Sequence, residues 1–330
     1  MADYKDIVGT TVRSNAGSLT SAKTGELFYD STNLDFIYRN PNVTSAGAWR
    51  TGGSMNTGRE QLTGVSVGTQ TAGLVFSGDT PSPGGTAVTE KYNGSTWTEV
   101  NNLNGAKRAV AGYGTQTSAL CAGGFQPSET VNVETFDGTS WTEIANLNTA
   151  RAYVTGAGAD NTSGIVFSGN DGTNNLAITE SWNNTSWTEV NDMNTARSSV
   201  SSTGTGSSAL AIGGSPFAAI TELWNGTNWT EVADLNTGRE RSNAGGTDST
   251  LAVAFAGAKS PNYTVTVDVE TWNGTAWTEI ANVSTARGSG ADGFASGAAN
   301  GFLGGGTPPT TNVTEEWTGP AAAAVTFTSS

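Results

Sequence analysis

Histidine is missing from this chain of 330 residues, and cysteine occurs only once. Without histidine the chain lacks the commonest general base, the usual zinc ligand and the central member of a Ser-His-Asp triad. The single Cys121 excludes an intrachain disulfide, and beside Leu120 it is expected to be a small core residue. We expect no metal, no cofactor and no enzyme activity. Most hydrolase chemistries are disfavoured in this way, although Asp and Glu pairs could still cleave a glycan.

Positive charge and long apolar runs are also scarce. Lys and Arg number 15 against 29 Asp and Glu, which gives a formal net charge of -14 and a sequence pI near 4.3. This balance disfavours nucleic acid and anionic membrane surfaces as partners. No window approaches the roughly 20 apolar residues of a spanning helix, and the first residues do not resemble a signal peptide. We expect no nucleic-acid partner and no membrane insertion.

A repeated unit fills most of the chain, and it is clearest in TESWNNTSWTEV at 179–190 followed by NTAR at 194–197. Its second aromatic residue recurs at steps of 48, 44, 46, 42 and 48 residues, as Trp49, Trp97, Trp141, Trp187, Trp229 and Trp277. This period is typical of a four-stranded propeller blade. All ten tryptophans occupy repeat positions, so we expect their rings to pack between blades rather than to face a ligand.

The first and last repeats are incomplete and complement each other. Residues 48–51, around Trp49, supply only a fourth strand, whereas residues 313–317 supply a third strand and stop. Together they would complete a sixth blade and remove the exposed sheet edges of an open array. The sequence therefore predicts an all-β fold with three parts. A β-rich leader with a hairpin covers residues 1–47, a six-bladed β-propeller covers 48–318, and a C-terminal tail covers 319–330.

The repeat resembles that of the kelch and galactose-oxidase-like propeller family. The resemblance rests on the glycine-ended second strand, the Glu two residues before the first aromatic and the tryptophan that follows. It implies the fold over residues 48–318. Several second strands end in Ser-Gly or Ala-Gly rather than Gly-Gly, and the family's oxidase chemistry needs histidines that this chain lacks. The resemblance therefore implies no oxidase activity.

The leader, with YKDIVGTTV at 4–12 and GELFYDST at 25–32, is similar to leaders of structural proteins in tailed bacteriophages. The repeats around NGTSWTE-like segments are likewise similar to those of virion proteins from marine phages. This resemblance implies a virion location, with the leader docking onto other virion proteins. The residues proposed for that docking are Leu27, Phe28, Tyr29, Phe36 and Tyr38.

A basic residue follows each repeat tryptophan by ten positions, and we call these six residues the cation ring: Arg59, Lys107, Arg151, Arg197, Arg239 and Arg287. Two interpretations are open. The ring could clamp an anion, or each member could pair with a strand-three carboxylate and support the architecture. We favour the structural role, because each repeat supplies a carboxylate as well as a cation: Glu90, Glu134, Glu180, Glu222, Glu270 and Glu315.

Length variation is concentrated in one loop of the repeat. The glycines predicted to close strand two are Gly78, Gly124, Gly169, Gly214, Gly257 and Gly305. From each of them to the strand-three aromatic residue the spacings are 14, 12, 13, 10, 15 and 12, whereas the step from that aromatic to the next tryptophan is 5 wherever both occur in one repeat. Variable loops on a rigid scaffold commonly carry recognition. The non-repeat aromatics and prolines there are the predicted partner-binding residues: Phe125, Pro127, Phe217, Pro261 and Tyr263. Mere tolerance of insertion is the competing explanation.

These patterns lead to a functional expectation. The chain is expected to be a non-enzymatic structural protein on the surface of a phage virion. There it serves as a tail fibre, appendage or receptor-binding protein that contacts a host-surface glycan or protein. The alternatives are a capsid or tail decoration protein without a receptor role and, third, a glycan depolymerase.

Overall fold

A computed structural model describes residues 13–15, 27–32, 35–44, 47–65, 69–82, 84–246, 248–294, 300–319 and 322–327. These residues form strands, turns and bends, and none of them lies in a helix. The chain divides into two compact units. The first consists of Met1–Ala48 and Gly319–Ser330, and the second of Trp49–Thr318.

Six four-stranded antiparallel sheets form the blades of a propeller. Blade 1 holds β5 (Thr63–Gly64), β6 (Gly73–Phe76), β7 (Thr89–Tyr92) and β8 (Trp97–Val100). Blade 2 holds β9 (Ala111–Thr115), β10 (Ser118–Ala122), β11 (Val133–Phe136) and β12 (Trp141–Glu143). Blade 3 holds β13 (Thr155–Asp160), β14 (Ser163–Phe167), β15 (Thr179–Trp182) and β16 (Trp187–Val190).

The remaining blades follow the same plan. Blade 4 holds β17 (Ser201–Thr205), β18 (Ser208–Ile212), β19 (Thr221–Trp224) and β20 (Trp229–Val232). Blade 5 holds β21 (Asn243–Gly245), β22 (Ala252–Phe255), β25 (Val269–Trp272) and β26 (Trp277–Glu279). Between β22 and β25 lies a separate hairpin of β23 (Ala258–Lys259) and β24 (Thr264–Val265).

Blade 6 is built from both ends of the chain, as the incomplete repeats predict. It holds β27 (Ala291–Phe294), β28 (Asn300–Gly304), β29 (Thr314–Thr318) and, as its outermost strand, β4 (Ala48–Thr51). The first strands of neighbouring blades contact one another all the way round, including β27 of blade 6 with β5 of blade 1. The six-bladed all-β propeller predicted from the sequence is therefore confirmed.

Tryptophan rings fill the seams between blades. All of them are buried except Trp49, which is half-buried. Trp141 of blade 2 lies edge-on against Phe76 of blade 1 with ring centroids 4.8 Å apart, and Trp229 of blade 4 packs 4.7 Å from Phe167 of blade 3. Each such ring buries about 150–250 Å², which is worth about 4–6 kcal/mol of gross transfer free energy. The prediction that these rings pack between blades is confirmed.

The partner of each strand-four indole N–H depends on one residue of the preceding blade. Where strand three begins with threonine, the next tryptophan donates to that hydroxyl, as in Trp229 to Thr179 Oγ1 (3.0 Å). Blade 2 begins this strand with Val133 instead, and Trp187 of blade 3 donates to the backbone oxygen of Ala145 at 3.0 Å. The strand-four indole donors are thus satisfied across a seam, as a buried polar group requires.

One residue predicted from the sequence, the glycine that closes strand two of blade 6, is wrong. The glycine that closes strand two donates its N–H to the carbonyl of the next cation-ring residue, as Gly78 does to Lys107 at 3.0 Å. In blade 6 this bond comes from Gly306, which donates to Arg59 at 2.8 Å, and not from the predicted Gly305. Two consecutive glycines occupy the site, and both have positive φ. The sequence pattern alone could not choose between them.

The first unit contains a separate sheet that is built from segments near both ends of the chain. Its order is β1 (Arg13–Asn15), β2 (Leu27–Asp30), β3 (Asp35–Thr44) and β30 (Ala322–Phe327). β1 and β2 are parallel, β2 and β3 form an antiparallel hairpin, and β30 pairs antiparallel with β3. The predicted docking residues lie in β2 and β3, where only the backbone is described. The leader motif at 4–12 lies outside the described residues.

Candidate functional site

Each member of the cation ring forms a buried ion pair with the strand-three carboxylate of its blade. The nitrogen–oxygen distances are 2.9 Å for Arg59–Glu90, 3.1 Å for Lys107–Glu134, 3.0 Å for Arg151–Glu180, 2.8 Å for Arg197–Glu222, 2.7 Å for Arg239–Glu270 and 3.1 Å for Arg287–Glu315. The side chains are 0–4% exposed. The cations therefore lie beneath the surface, where they are not accessible to an external anion.

The buried carboxylates also hold the segment that enters each blade. Glu222 accepts the backbone N–H of Asn194 at 2.7 Å and its side-chain amide at 2.9 Å, while Arg197 donates to the other carboxylate oxygen at 2.8 Å. Burial lowers the pKa of Arg197, and the charge of Glu222 opposes that shift. A buried ion pair held by several hydrogen bonds fixes the segment that it joins, and removal of one member leaves the other uncompensated.

Cys121 lies next to the one lysine of the ring. The thiol is fully buried, and desolvation raises its pKa to about 12, with the Lys107 ammonium opposing the rise. At neutral pH the side chain is therefore a protonated thiol, which is a poor nucleophile. Cys121 is part of the core of blade 2.

A ring of backbone hydrogen bonds encircles the propeller axis just inside one face. It joins the residues that lie two positions after the cations, and we call it the axial ring: Gln61, Ala109, Tyr153, Ser199, Arg241 and Ser289. Each N–H donates to the carbonyl of the preceding member over 2.8–3.2 Å, and Gln61 closes the circle on Ser289. All six have φ between 50° and 57°, a left-handed conformation that is uncommon outside glycine.

The axial ring surrounds a recess of about 120 Å³ that is lined by the starts of all six first strands. Three buried side-chain atoms of the ring have no hydrogen-bond partner within the described part of the chain: Gln61 Oε1, Arg241 Nε and Ser289 Oγ. These residues belong to blades 1, 5 and 6, which are consecutive around the axis. The unsatisfied atoms therefore occupy one side of the recess.

The strand two to three loops open on the same face as the axial ring. Isolated β-bridges pair these loops with the residues that come directly before members of the axial ring, for example Asp79 with Glu60 and Ala258 with Glu240. Tyr263 sits in the turn between β23 and β24, is 38% exposed, and lies with its ring 4.9 Å from the Arg241 guanidinium and 6.1 Å from the Phe217 ring. Burial raises the Tyr263 pKa to about 12, so its hydroxyl stays protonated.

The loop residues predicted to bind a partner fall into separate groups. Phe217 and Tyr263 come together beside the recess, and both have positive φ, a genuine outlier for a bulky side chain. Phe125 lies apart, under the Arg108 guanidinium at 4.7 Å. Pro127 and Pro261 are exposed at loop tips. Backbone strain of this kind clusters at binding sites.

The sequence prediction missed the axial ring, although a signal for it is present. After the near-constant N-T-A/G-R segment, the residue two positions beyond the cation changes from blade to blade as Gln, Ala, Tyr, Ser, Arg and Ser. A position that varies within a conserved frame marks a place where the blades are not equivalent. Its location on the axis follows only from the closed ring of six blades.

Neither a metal centre nor a membrane-spanning helix was found in the described parts of the chain. No three His, Cys, Asp or Glu residues there come together in a group that could hold a metal ion. No helix in those parts is long and apolar enough to cross a bilayer.

No protein-family model matches this sequence, and no curated protein matches it. The six-bladed propeller therefore stands on the structure itself, and the resemblance to kelch repeats and to phage virion proteins rests on the residues quoted above.

Proposed function

We propose that this chain is a non-enzymatic recognition protein on the surface of a bacteriophage virion. The first unit docks onto the particle through residues of β2 and β3, and the propeller is displayed for contact with the host surface. The virion assignment is supported by the resemblance of the leader and repeats to phage structural proteins.

The observation that carries the recognition role is the one-sided asymmetry of the propeller. The buried ion pairs and seam tryptophans recur in every blade, so they serve the architecture. Loop length differs between blades on the face that carries the strand two to three loops, which we call the loop face. The exposed Tyr263 and the three unsatisfied polar atoms of the axial ring lie near this same face. A scaffold with uniform support and one variable face is typical of binding proteins.

The virion location is tested by labelling. Antibodies raised against the purified propeller, carried on gold, should decorate intact particles of the virus that encodes the chain, at one defined structure. Label on a fibre or appendage would support a receptor-binding role, and label spread over the capsid would favour the decoration alternative. Unlabelled particles, with the chain recovered only from lysed host cells, would contradict the proposal.

The depolymerase alternative has a separate test. Incubation of the protein with purified host-surface glycan should release no reducing ends, because the Glu pairs of the blades, such as Glu180 opposite Glu189, recur in the repeat and mark no single site. Release of oligosaccharides by the full chain would favour the enzyme.

A further inference from the structure

Arg241 differs from the other half-buried arginine of the loop face in one respect. Arg108 stacks over Phe125 at 4.7 Å and its Nη1 donates to Asp79 at 2.8 Å, so the face of its guanidinium and one of its donors have partners within the chain. Arg241 has rings at its face, Tyr263 at 4.9 Å and Tyr153 at 5.7 Å, but within the described residues its side chain donates to no acceptor.

The same stacking arrangement therefore occurs twice, once with a carboxylate supplied by the chain and once without. A guanidinium edge presents two parallel N–H donors that match a carboxylate, and such charge-assisted pairs are short and strong. Glu240 does not fill this role, because its carboxylate accepts the Phe217 N–H at 3.4 Å and forms no ion pair with Arg241. Within the described residues no carboxylate pairs with Arg241, so its donors are open to a carboxylate from outside the chain.

The neighbouring atoms describe the rest of the ligand. Ser289 and Gln61 follow Arg241 around the axial ring, and each carries a buried oxygen without a partner. Gln61 Oε1 accepts only, so the ligand must present a donor to it, and a hydroxyl meets this need. Glu60 and Glu240 add acceptors close to Tyr263, whose exposed ring offers a flat apolar surface. Sugar rings pack on such surfaces while their hydroxyls bond to polar groups around them.

We propose that the recess binds an acidic sugar unit, a hexuronate. Its carboxylate pairs with Arg241, its hydroxyls bond to Ser289 and Gln61, and its ring lies against Tyr263. The inference rests on the proposed recognition role only for its biological setting. If particles carry no label but hexuronate binds at Arg241, the virion assignment fails and the ligand assignment stands.

Ligand-observed NMR and calorimetry with the full chain test the proposal, with D-glucuronate, D-galacturonate, D-galactose, acetate and the peptide acetyl-Gly-Gly-Glu as probes. We expect at least one hexuronate to bind more tightly than galactose, acetate and the peptide. Arg241→Gln should weaken that binding by about tenfold or more, and Arg241→Lys by less, because lysine keeps the charge but not the paired donors.

Arg108→Gln is the matched control, because it removes a stacked arginine from the same face but one that already pairs with a carboxylate of the chain. It should leave hexuronate affinity within about twofold of the wild-type value. Absence of hexuronate binding, equal binding of galactose, tighter binding of the peptide, or full affinity in Arg241→Gln with a wild-type melting curve would each overturn the proposal. Arg241→Lys, read in the same way, decides the matter if the glutamine variant does not fold.

Discussion

Removal of residues 310–330 is expected to abolish cooperative folding of the propeller, whereas removal of residues 319–330 leaves it folded. The longer deletion takes away β29, and with it Trp317, which is fully buried in the seam between blades 5 and 6. It also removes Glu315, the partner of Arg287, and Thr314, which accepts the Trp97 indole N–H of blade 1 at 3.0 Å. β28 becomes an exposed sheet edge, and β4 loses its only neighbouring strand.

The free energies lost in the longer deletion are large enough to unfold the propeller. Burial of the Trp317 ring contributes about 4–6 kcal/mol of gross transfer free energy, and an uncompensated Arg287 costs about 3–5 kcal/mol. Domains are stable by only about 5–15 kcal/mol in total. The shorter deletion removes β30, which pairs with β3 in the sheet of the first unit and with no strand of a blade.

Thermal melting followed by near-ultraviolet circular dichroism measures the effect, and thiol reactivity gives a second readout. Cys121 is buried in blade 2, and its pKa of about 12 makes it unreactive toward a disulfide reagent while the blade is intact. We expect fast labelling only after the longer deletion. Equal melting temperatures for the two truncations, with a protected Cys121 in both, would show that blade 6 does not need its closing strand.

The second large effect is expected from a single buried carboxylate. Glu222→Ala should lower the free energy of unfolding by about 3–5 kcal/mol, because Arg197 would remain buried without its counter-ion. Arg197 would retain only its bonds to the carbonyls of Gly213 and Ile220. The double variant Glu222→Leu with Arg197→Met should regain part of the loss, because it buries no unpaired charge.

An exposed ion pair serves as the control for this measurement. Lys259 and Asp268 lie 2.7 Å apart, but their side chains are 30% and 28% exposed. Because solvent screens such a pair, Lys259→Ala should cost about 1 kcal/mol or less. Urea unfolding of each variant gives the comparison. A Glu222→Ala variant as stable as Lys259→Ala would show that the buried pairs do not hold the blades.

The parts of the fold that the sequence predicted are those written locally in the repeat. Each blade carries a cation ten positions after a tryptophan, as Arg197 follows Trp187, and a strand-three carboxylate such as Glu222. Their ion pairing therefore follows once the blade is recognised. Blade closure was equally visible, because Trp49 and Trp317 are complementary fragments of one unit. The repeats of this chain can be compared with one another, whereas a chain without repeats would have to be compared with related sequences.

The parts that were missed depend on contacts between distant and unequal segments. β30 pairs with β3, which lies near the other end of the sequence, and no pattern in the repeat predicts this pairing. Arg241 meets Tyr263 only because the β23–β24 hairpin folds toward the axis, so loop composition identified Tyr263 without indicating its neighbour. The axial ring likewise forms only when the six blades close into a circle.

The central claim is that the loop face of the propeller carries recognition, and binding of purified protein to host cells tests it most directly. One variant set replaces residues 260–263 with Gly and Ser and changes Phe217 to Ser. The matched set changes the exposed hairpin residues Thr185, Ser186, Thr275 and Ala276 on the opposite face to Gln. With melting curves unchanged, the loop set should lose about tenfold or more of its binding, and the hairpin set should stay within about twofold. Full binding in the loop set together with loss in the hairpin set would contradict the account.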